Sequence, residues 1–294
     1  MLKKITVSKI VIYLFVAMFS VVCLLPFWLV AAASITPENM IGSDGFRLIP
    51  RAVSFAAYDL LFRTPERIIN GYKVTAITTV VGTLASLFLS AMLGYGISRP
   101  SVRYRRFIEI YTLITMLFSG GMVPWYIICV NYLKLTNNYA ALIMPMLLNA
   151  WNVFLIRNYF RSIPNEMHES AKIDGAGEFY TFLRIILPLS LPVLATLALF
   201  IALGYWNGWW LGLMLIDKDE LQPLQLMLRS ILSNVEFLRF SPDAKKIVGN
   251  SANMMPSESA KMATCIITIG PIIFLYPFIQ RYFVKGIMIG AIKG

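Results

Sequence analysis

Side chains that could do acid–base or metal chemistry are few in this chain of 294 residues. His168 is the only histidine, and it stands between Glu166 and Glu169 on a polar segment, where a lone imidazole is more often solvated than bound to a metal. The sequence has no G-x-x-x-x-G-K-[ST] phosphate loop, no G-x-S-x-G nucleophile turn and no H-E-x-x-H zinc helix. The cysteines all fall in apolar stretches, where a thiol is a small apolar filler: Cys23, Cys129 and Cys265. We therefore expect a chain that is not an enzyme, holds no metal and binds no cofactor itself.

A stripe of aromatic and amide side chains could instead bind a solute. On a helix, five residues would follow one side at steps of 3, 4, 7 and 11: Leu203, Trp206, Asn207, Trp210 and Met214. Flat indole faces and an amide suit sugars, which present apolar C–H patches ringed by hydroxyls. Tryptophans near the end of a membrane span also form interfacial belts, so a lipid-facing role stays open.

The elements that must carry these residues are membrane helices. The chain is 58% hydrophobic and 14% charged, against about 45–50% and about 25% in soluble domains. Its long uncharged stretches each approach or exceed the roughly 20 residues that a helix needs to cross the hydrocarbon layer. They predict an all-α membrane protein with six transmembrane helices in one domain, residues 1–294, at about 10–33, 74–98, 110–133, 137–156, 187–214 and 262–280.

The first apolar stretch, which ends in Ala31–Ala33, also has features of a cleavable signal peptide. Its length exceeds the roughly 7–15 residues of such signals, so we expect it to remain as the first helix. The fourth helix adds a second group of candidate substrate residues, although buried amides also serve as packing contacts: Asn149, Trp151 and Asn152. Pro124 and Pro145 are expected to kink the third and fourth helices.

The net charge of +11 reflects Lys and Arg residues that lie between the spans. A nucleic-acid surface would need them clustered on soluble surface, so no nucleic-acid partner is expected. Basic residues are densest in the segments that precede span one, follow span six and join spans two to three and four to five. The positive-inside rule therefore predicts that both termini are cytoplasmic and that the loop at about 217–261 is outside. Since the spans themselves carry no charge for ion coupling, the driving force should come from another protein.

The inner loop between the fourth and fifth spans has the pattern of two short helices joined by a turn. Pro164 suits the first helical turn, and Glu166 suits the positive end of the helix dipole. Small Ala171 is predicted at the centre of a compact face that another protein can grip. Gly175 is expected to stop this helix, and a second helix should begin near Glu178.

The same loop resembles the EAA loop of permease subunits in ATP-binding cassette (ABC) importers. The residues that fit the family pattern are Glu169, Ala171, Asp174, Gly175, Ala176, Leu187 and Pro188. Ser170 replaces the second alanine of the pattern, a conservative departure. The pair Trp206-Asn207 and the tail 282–294 are similar to maltose-type carbohydrate importers. Residues 116–121 resemble a Gram-positive branch of permeases for complex or polygalacturonan-like oligosaccharides.

This resemblance implies an ABC type I importer permease fold with a cytoplasmic coupling helix in the loop at about 162–186. It assigns ATPase coupling to Glu169, Ser170, Ala171, Asp174, Gly175 and Ala176. The implied partners are an ABC ATPase dimer that holds ATP and Mg, a second homologous permease subunit, an extracellular solute-binding lipoprotein and an oligosaccharide substrate. The expected location is the lipid bilayer of a Gram-positive plasma membrane, with the basic tail 281–294 either touching the ATPase or anchoring the last helix. An ABC importer for a non-sugar solute and an ion-coupled secondary transporter remain alternatives.

Overall fold

A computed structural model describes residues 7–63, 65–240, 257–271 and 273. These residues form helices and connecting turns, with no β-strand among them. They divide into two compact units, one from residues up to 65 together with 228–273, and one from residues 66–227. The basic tail, the end of the sixth predicted span and the middle of the loop at 217–261 lie outside the described residues.

In chain order, the helices are α1 (Val7–Ser34), α2 (Glu38–Asp44), α3 (Ala56–Leu61), α4 (Pro65–Ser98), α5 (Arg105–Leu117), α6 (Met122–Ile127), α7 (Tyr139–Ile143), α8 (Ala150–Arg161), α9 (Glu166–Ile173), α10 (Glu178–Thr181), α11 (Leu187–Leu189), α12 (Leu191–Trp206), α13 (Trp210–Leu215), α14 (Leu224–Phe240) and α15 (258–271). Two π-helical turns, Ile128–Tyr132 and Phe182–Ile186, continue α6 and join α10 to α11. A 3-10 turn, Met144–Met146, follows α7.

Two helices, α1 and α4, are long and apolar enough to cross a bilayer without a break. Three more predicted spans are bent pairs: α5 with α6 at 115°, α7 with α8 at 52°, and the piece from α10 to α11 with α12 at 83°. The described residues therefore contain up to five spans. α1 is exposed along most of its length, as expected for a helix surrounded by lipid or by another subunit.

The bends have different local causes. Before α6, Phe118 is extended and Gly121 has a φ of 84°, so the chain turns before Pro124 is reached. Pro124 lies in the first turn of α6, where its missing N–H costs nothing, and the prediction that it kinks the span was wrong. Pro145 lies in the 3-10 turn between α7 and α8, where the fourth predicted span does bend.

The larger unit packs through close contacts of α4. A Cβ at Gly82 would lie 2.5 Å from the ring of Tyr205 on α12, so only glycine admits this contact. The Tyr205 hydroxyl lies 3.1 Å from the Ser86 hydroxyl and donates to the Ile143 carbonyl at 3.0 Å. Small residues let membrane helices approach closely, and here they bring α7 and α12 against α4.

In the smaller unit, a carboxylate of α2 caps α15. Glu38 accepts hydrogen bonds from the backbone N–H of Glu258 and of Ser259, both at 3.1 Å, and from the Ser259 hydroxyl at 3.0 Å. Burial raises the pKa of Glu38, but the hydrogen bonds from residues 257–259 outweigh it, and the net pKa falls below 4.5. An ionised carboxylate at a helix N-terminus stabilises that helix.

Candidate coupling loop and substrate cavity

α9 ends in a hydrogen-bonded closure that fixes the turn after it. Gly175 has a φ of 74°, its N–H donates to the Lys172 carbonyl at 3.1 Å, and the Ala176 N–H donates to the Ala171 carbonyl at 2.9 Å. This pair of bonds is the Schellman motif, which needs a left-handed residue that glycine supplies without strain. The predicted helix, its stop at Gly175 and the second helix from Glu178 are confirmed, but α9 begins at Glu166, so Pro164 precedes the helix and does not lie in its first turn.

The face that α9 offers to a partner differs from the prediction. Ala171 is only 4% exposed and His168 only 8%, so this side of the helix packs inside the chain. The prediction of Ala171 as the centre of an accessible face was wrong, because the side with the smallest residue is the one that meets this chain's own core. The exposed side is made by Met167, Glu169, Ser170, Asp174 and Ile173, the last 86% exposed.

Tyr95, near the C-terminal end of α4, anchors the loop. Its hydroxyl donates to Oε2 of Glu178 at 2.7 Å, and Nη2 of Arg99 lies 3.7 Å from Oε1 of the same carboxylate. The Tyr95 ring packs against three others at centroid distances of 5.2, 6.1 and 6.0 Å: Phe182, Phe160 and His168. One side chain thus joins α4, α8, α9 and the start of α10.

His168 contributes to this anchor and not to a metal or acid–base cluster. Burial lowers its pKa below 6.5 and the positive charge of Arg99 lowers it further, although Glu178 opposes the shift. The imidazole is therefore neutral at pH 7. Among the described residues, no three His, Cys, Asp or Glu side chains converge as a metal site would require.

Two of the predicted substrate residues, Asn207 and Trp210, line one cavity of about 280 Å3. Its other walls include Trp125, Met146, Gly208 and Trp209. The rings of Trp125 and Trp210 lie 4.6 Å apart between centroids and are tilted by 37°. None of the lining side chains is charged. The arrangement can hold the apolar face of a neutral ring by stacking, and the amide can bond a hydroxyl.

The predicted continuous stripe along helix five was wrong. α12 ends at Trp206 and α13 begins only at Trp210. The break is favoured because Gly208 is a poor helix former and the Asn207 amide bonds the helix end, donating to the Leu203 carbonyl at 3.0 Å. Trp206 is buried, packs 6.4 Å from the ring of Tyr72 and does not line the cavity.

The candidate residues of helix four also lie elsewhere. Asn149 caps α8, where its Oδ1 accepts the backbone N–H of Trp151 at 2.9 Å. Trp151 is exposed and Asn152 is half-buried. None of the three lines the cavity of Trp210. Asn149 therefore has a local structural use as an N-cap.

The sequence and the fold match known transport proteins. A family described as "binding-protein-dependent transport system inner membrane component" matches residues 82–289, and this chain belongs to it. The chain is 38% identical over 283 residues to the polygalacturonan/rhamnogalacturonan transport system permease protein YtcP of Bacillus subtilis (strain 168), covering 96% of this chain and 97% of that protein. It is 28% identical over 293 residues to the arabinooligosaccharides transport system permease protein AraQ of the same organism, covering 98% and 97%.

A solved structure agrees with the sequence relatives. The crystal structure of a bacterial ABC transporter involved in the import of the acidic polysaccharide alginate matches with a TM-score of 0.76 and 28% identity, covering 96% of this chain and 98% of that chain. The chain therefore has the ABC type I permease fold and is a permease subunit of an ABC importer, without catalysis of its own. The resemblance read from the EAA loop is confirmed. A permease of this kind works with a partner permease, an ATPase and a binding protein.

Sequence reasoning missed several residues of both regions. Tyr95 and Arg99 hold the loop, but Tyr95 is 83 positions from Glu178 and no local pattern joins them. Trp125 and Trp209 line the cavity, and only their indole chemistry could have drawn attention to them. Long-range contacts of this kind follow from the fold and not from spacing.

Proposed function

We propose that this chain is one of two membrane subunits of an ATP-driven importer for oligosaccharides, which arrive from an extracellular solute-binding lipoprotein. The observation that carries the proposal is α9, closed by a Schellman motif, anchored by Tyr95 and left with an exposed outer side. The names of the relatives, which are permeases for polygalacturonan, rhamnogalacturonan and arabinooligosaccharides, support the substrate class.

The exposed side of α9 would dock on the ATPase dimer, which binds the ATP and Mg, while this chain binds no cofactor. Glu169, Ser170 and Asp174 lie on that side, and Ile173 is an apolar anchor suited to a pocket on the partner. Gly175 and Ala176 act by fixing the turn, and Ala171 acts by seating the helix on this chain. All six residues serve coupling in this account, but by different physical means.

The cavity of Trp125 and Trp210 would form part of the sugar pathway, with Asn207 on its wall. Oδ1 of the Asn207 side chain already accepts a hydrogen bond from Nε2 of Gln225 at 3.3 Å, so a sugar hydroxyl would join or replace that bond. The lining offers no cation for a carboxylate. The sugar's C–H faces and hydroxyls are thus the groups recognised at this point. Trp206, Asn149, Trp151 and Asn152 are assigned to supporting positions outside this wall.

The finer topology is part of the proposal. Six spans with both termini in the cytoplasm put α9 on the side of the ATPase, and the density of Lys and Arg in the inner segments supports this orientation. The membrane is the plasma membrane of a Gram-positive bacterium, since the relatives quoted above come from Bacillus. A partner permease of similar fold would cover the exposed apolar surfaces.

The two alternatives differ in the chemistry they need. An ion-coupled secondary transporter would need ionisable groups at membrane depth, and the α4 segment 74–98 carries none. An importer of amino acids, peptides or phosphonates would use charged groups against its solute, which the Trp210 cavity does not offer. The first point favours a driving force supplied by an ATPase, and the second favours recognition of the uncharged parts of a sugar ring at this cavity.

Cysteine labelling and cross-linking test the orientation and the docking together. In a background with the three natural cysteines replaced by alanine, Ile173→Cys should cross-link to the ATPase and resist impermeant labels added to intact cells. Ile49→Cys, at a position 79% exposed, is the matched control and should be labelled from outside. External labelling of Ile173→Cys, or no cross-link to any ATPase subunit, would refute the proposal.

A further inference from the structure

An arginine-rich cleft of about 630 Å3 lies between α5 and α8, and neither coupling nor sugar transport uses it. Its polar walls are Arg105, Arg106, Glu109, Arg157 and Arg161. Four guanidinium groups thus face one carboxylate, a net charge of +3. Clustering like charges at a membrane surface is unfavourable unless an anion is held among them.

Glu109 is too small a counter-charge for this cleft. It pairs with Arg157 and lies 3.6 Å from Nη2 of Arg161. In the described parts of the chain, Arg105 and Arg106 have no acidic partner, and both occupy the first turn of α5, where the helix dipole disfavours cations. Arg157 is 12% exposed, and its buried Nε has no hydrogen-bond partner in the same described parts. An oxyanion in the cleft would offset the repulsion.

The remaining walls of the cleft are apolar. Ile110 and Leu113 are exposed on α5, one and two turns beyond Arg106, which places Leu113 about 10 Å further along the helix. Phe154 faces them from α8, with the Arg157 guanidinium 5.7 Å from its ring centroid. The lining therefore changes from cationic to apolar along the span. A free phosphate would use only the cationic half, whereas a phospholipid would use both.

We propose that this cleft binds an anionic phospholipid, with its phosphate among the arginines and an acyl chain against Ile110 and Leu113. Basic pockets between membrane helices on the cytoplasmic side suit such headgroups. Placement in the inner leaflet rests on the proposed orientation, because α8 leads directly into the α9 loop. The lipid would hold α5 against α8 at the end of α8 that leads into α9.

The test uses the whole importer complex in nanodiscs of phosphatidylcholine, with or without phosphatidylglycerol, and counts bound phosphatidylglycerol by native mass spectrometry. The double variant Arg105→Gln/Arg161→Gln should bind it about tenfold more weakly than the wild type. Arg106→Gln, an exposed position with no acidic partner in the described residues, should give a smaller loss without disturbing the fold. Arg103→Gln, exposed nearby but outside the cleft, should bind as the wild type does.

Equal binding by the double variant and Arg103→Gln would overturn the proposal. Inorganic phosphate added to phosphatidylcholine nanodiscs is the second arm, and stabilisation against heat equal to that from phosphatidylglycerol would identify a site for a small anion, not a lipid. Loss of a partner subunit from the double variant, with full lipid binding by Arg106→Gln, would identify a protein contact and also overturn it. The readout needs no sugar and no ATP hydrolysis, so its failure is distinct from failure of the proposed transport function.

Discussion

The hydroxyl of Tyr95 donates a 2.7 Å hydrogen bond to Glu178, a residue 83 positions later in the chain. Tyr95 belongs to the long helix α4, and Glu178 opens the helix that follows the coupling turn. In the proposed function, a displacement of α9 by the ATPase reaches the membrane helices through this contact and the rings around it. In that proposal, the bond is a polar link between the ATPase and the membrane helices.

Tyr95→Phe should weaken that link while keeping the ring packing. A hydrogen bond to a charged group contributes about 1.5–3 kcal/mol, and the exposure of the Glu178 carboxylate moves the expected loss to the lower end or below. We expect sugar-stimulated ATP hydrolysis by the complex to fall several-fold, with subunit assembly intact. The control is Tyr104→Phe, which changes an exposed tyrosine in the turn after α4 and should leave the stimulation unchanged. Unchanged stimulation in Tyr95→Phe would show that the bond carries no coupling.

Two neighbouring glycines allow a matched test of the turn. A Cβ at Gly175 or at Gly177 meets nothing within 4 Å, but only Gly175 has a positive φ, of 74°. Gly175→Ala should therefore cost about 1–2 kcal/mol of backbone strain, and Gly177→Ala, at a φ of −70°, should cost little. Cross-linking of the ATPase to α9 should drop in Gly175→Ala alone. Equal yields in both variants would show that the Schellman turn does not position the docking side.

The buried His168 predicts a pH dependence of loop docking. Its pKa in the folded loop lies below the ordinary 6.5, because of burial and Arg99, so the opened loop binds more protons. The stabilisation is complete above pH 6.5 and is lost as the pH falls below it towards the lower folded-state pKa. Hydrogen exchange of residues 163–180, corrected for intrinsic rates, should lose protection between pH 7.5 and 5.5 relative to α4. His168→Gln should flatten this dependence, and an unchanged slope would contradict the account.

The proposed role of the cavity of Trp125 and Trp210 predicts different outcomes for neighbouring tryptophans. Trp210→Ala removes a stacking wall, worth about 0.5–1.5 kcal/mol, so uptake should weaken roughly 2- to 10-fold with normal assembly. Leu213→Ala, exposed on the same short helix and outside the cavity, should transport normally. Trp206→Ala should instead lower the yield of folded complex, because Trp206 is buried against Tyr72. Initial uptake rates per assembled complex separate these cases, and normal uptake by Trp210→Ala would move the pathway elsewhere.

The coupling loop could be predicted from sequence because its signals are local. Gly175 and Glu178 act within one or two helical turns of their own positions, and the structure follows them, whereas Pro164 lies two residues before α9 and not in its first turn. Hydrophobic length likewise predicts that a segment crosses the membrane. It does not predict a bend of 115°, which depends on the backbone angles at Gly121.

The cavity of Trp125 and Trp210 was only partly predictable for a related reason. Trp206 and Trp210 share a helical face in sequence, but the break at Gly208 separates them in space. The sequence also did not show that Ala171 faces the interior of this chain, because a small residue suits a contact with this chain as well as one with a partner. Periodicity gives the face of a helix, and only the assembled fold decides what that face meets.

Reconstituted transport tests the central claim most directly. Proteoliposomes should contain this chain, its partner permease and the ATPase, with the binding protein and a labelled oligosaccharide on the side opposite α9. The account predicts uptake that requires both ATP on the α9 side and the binding protein, and that stops when the ATPase is omitted. Uptake of the same sugar driven by an ion gradient without ATP would contradict it.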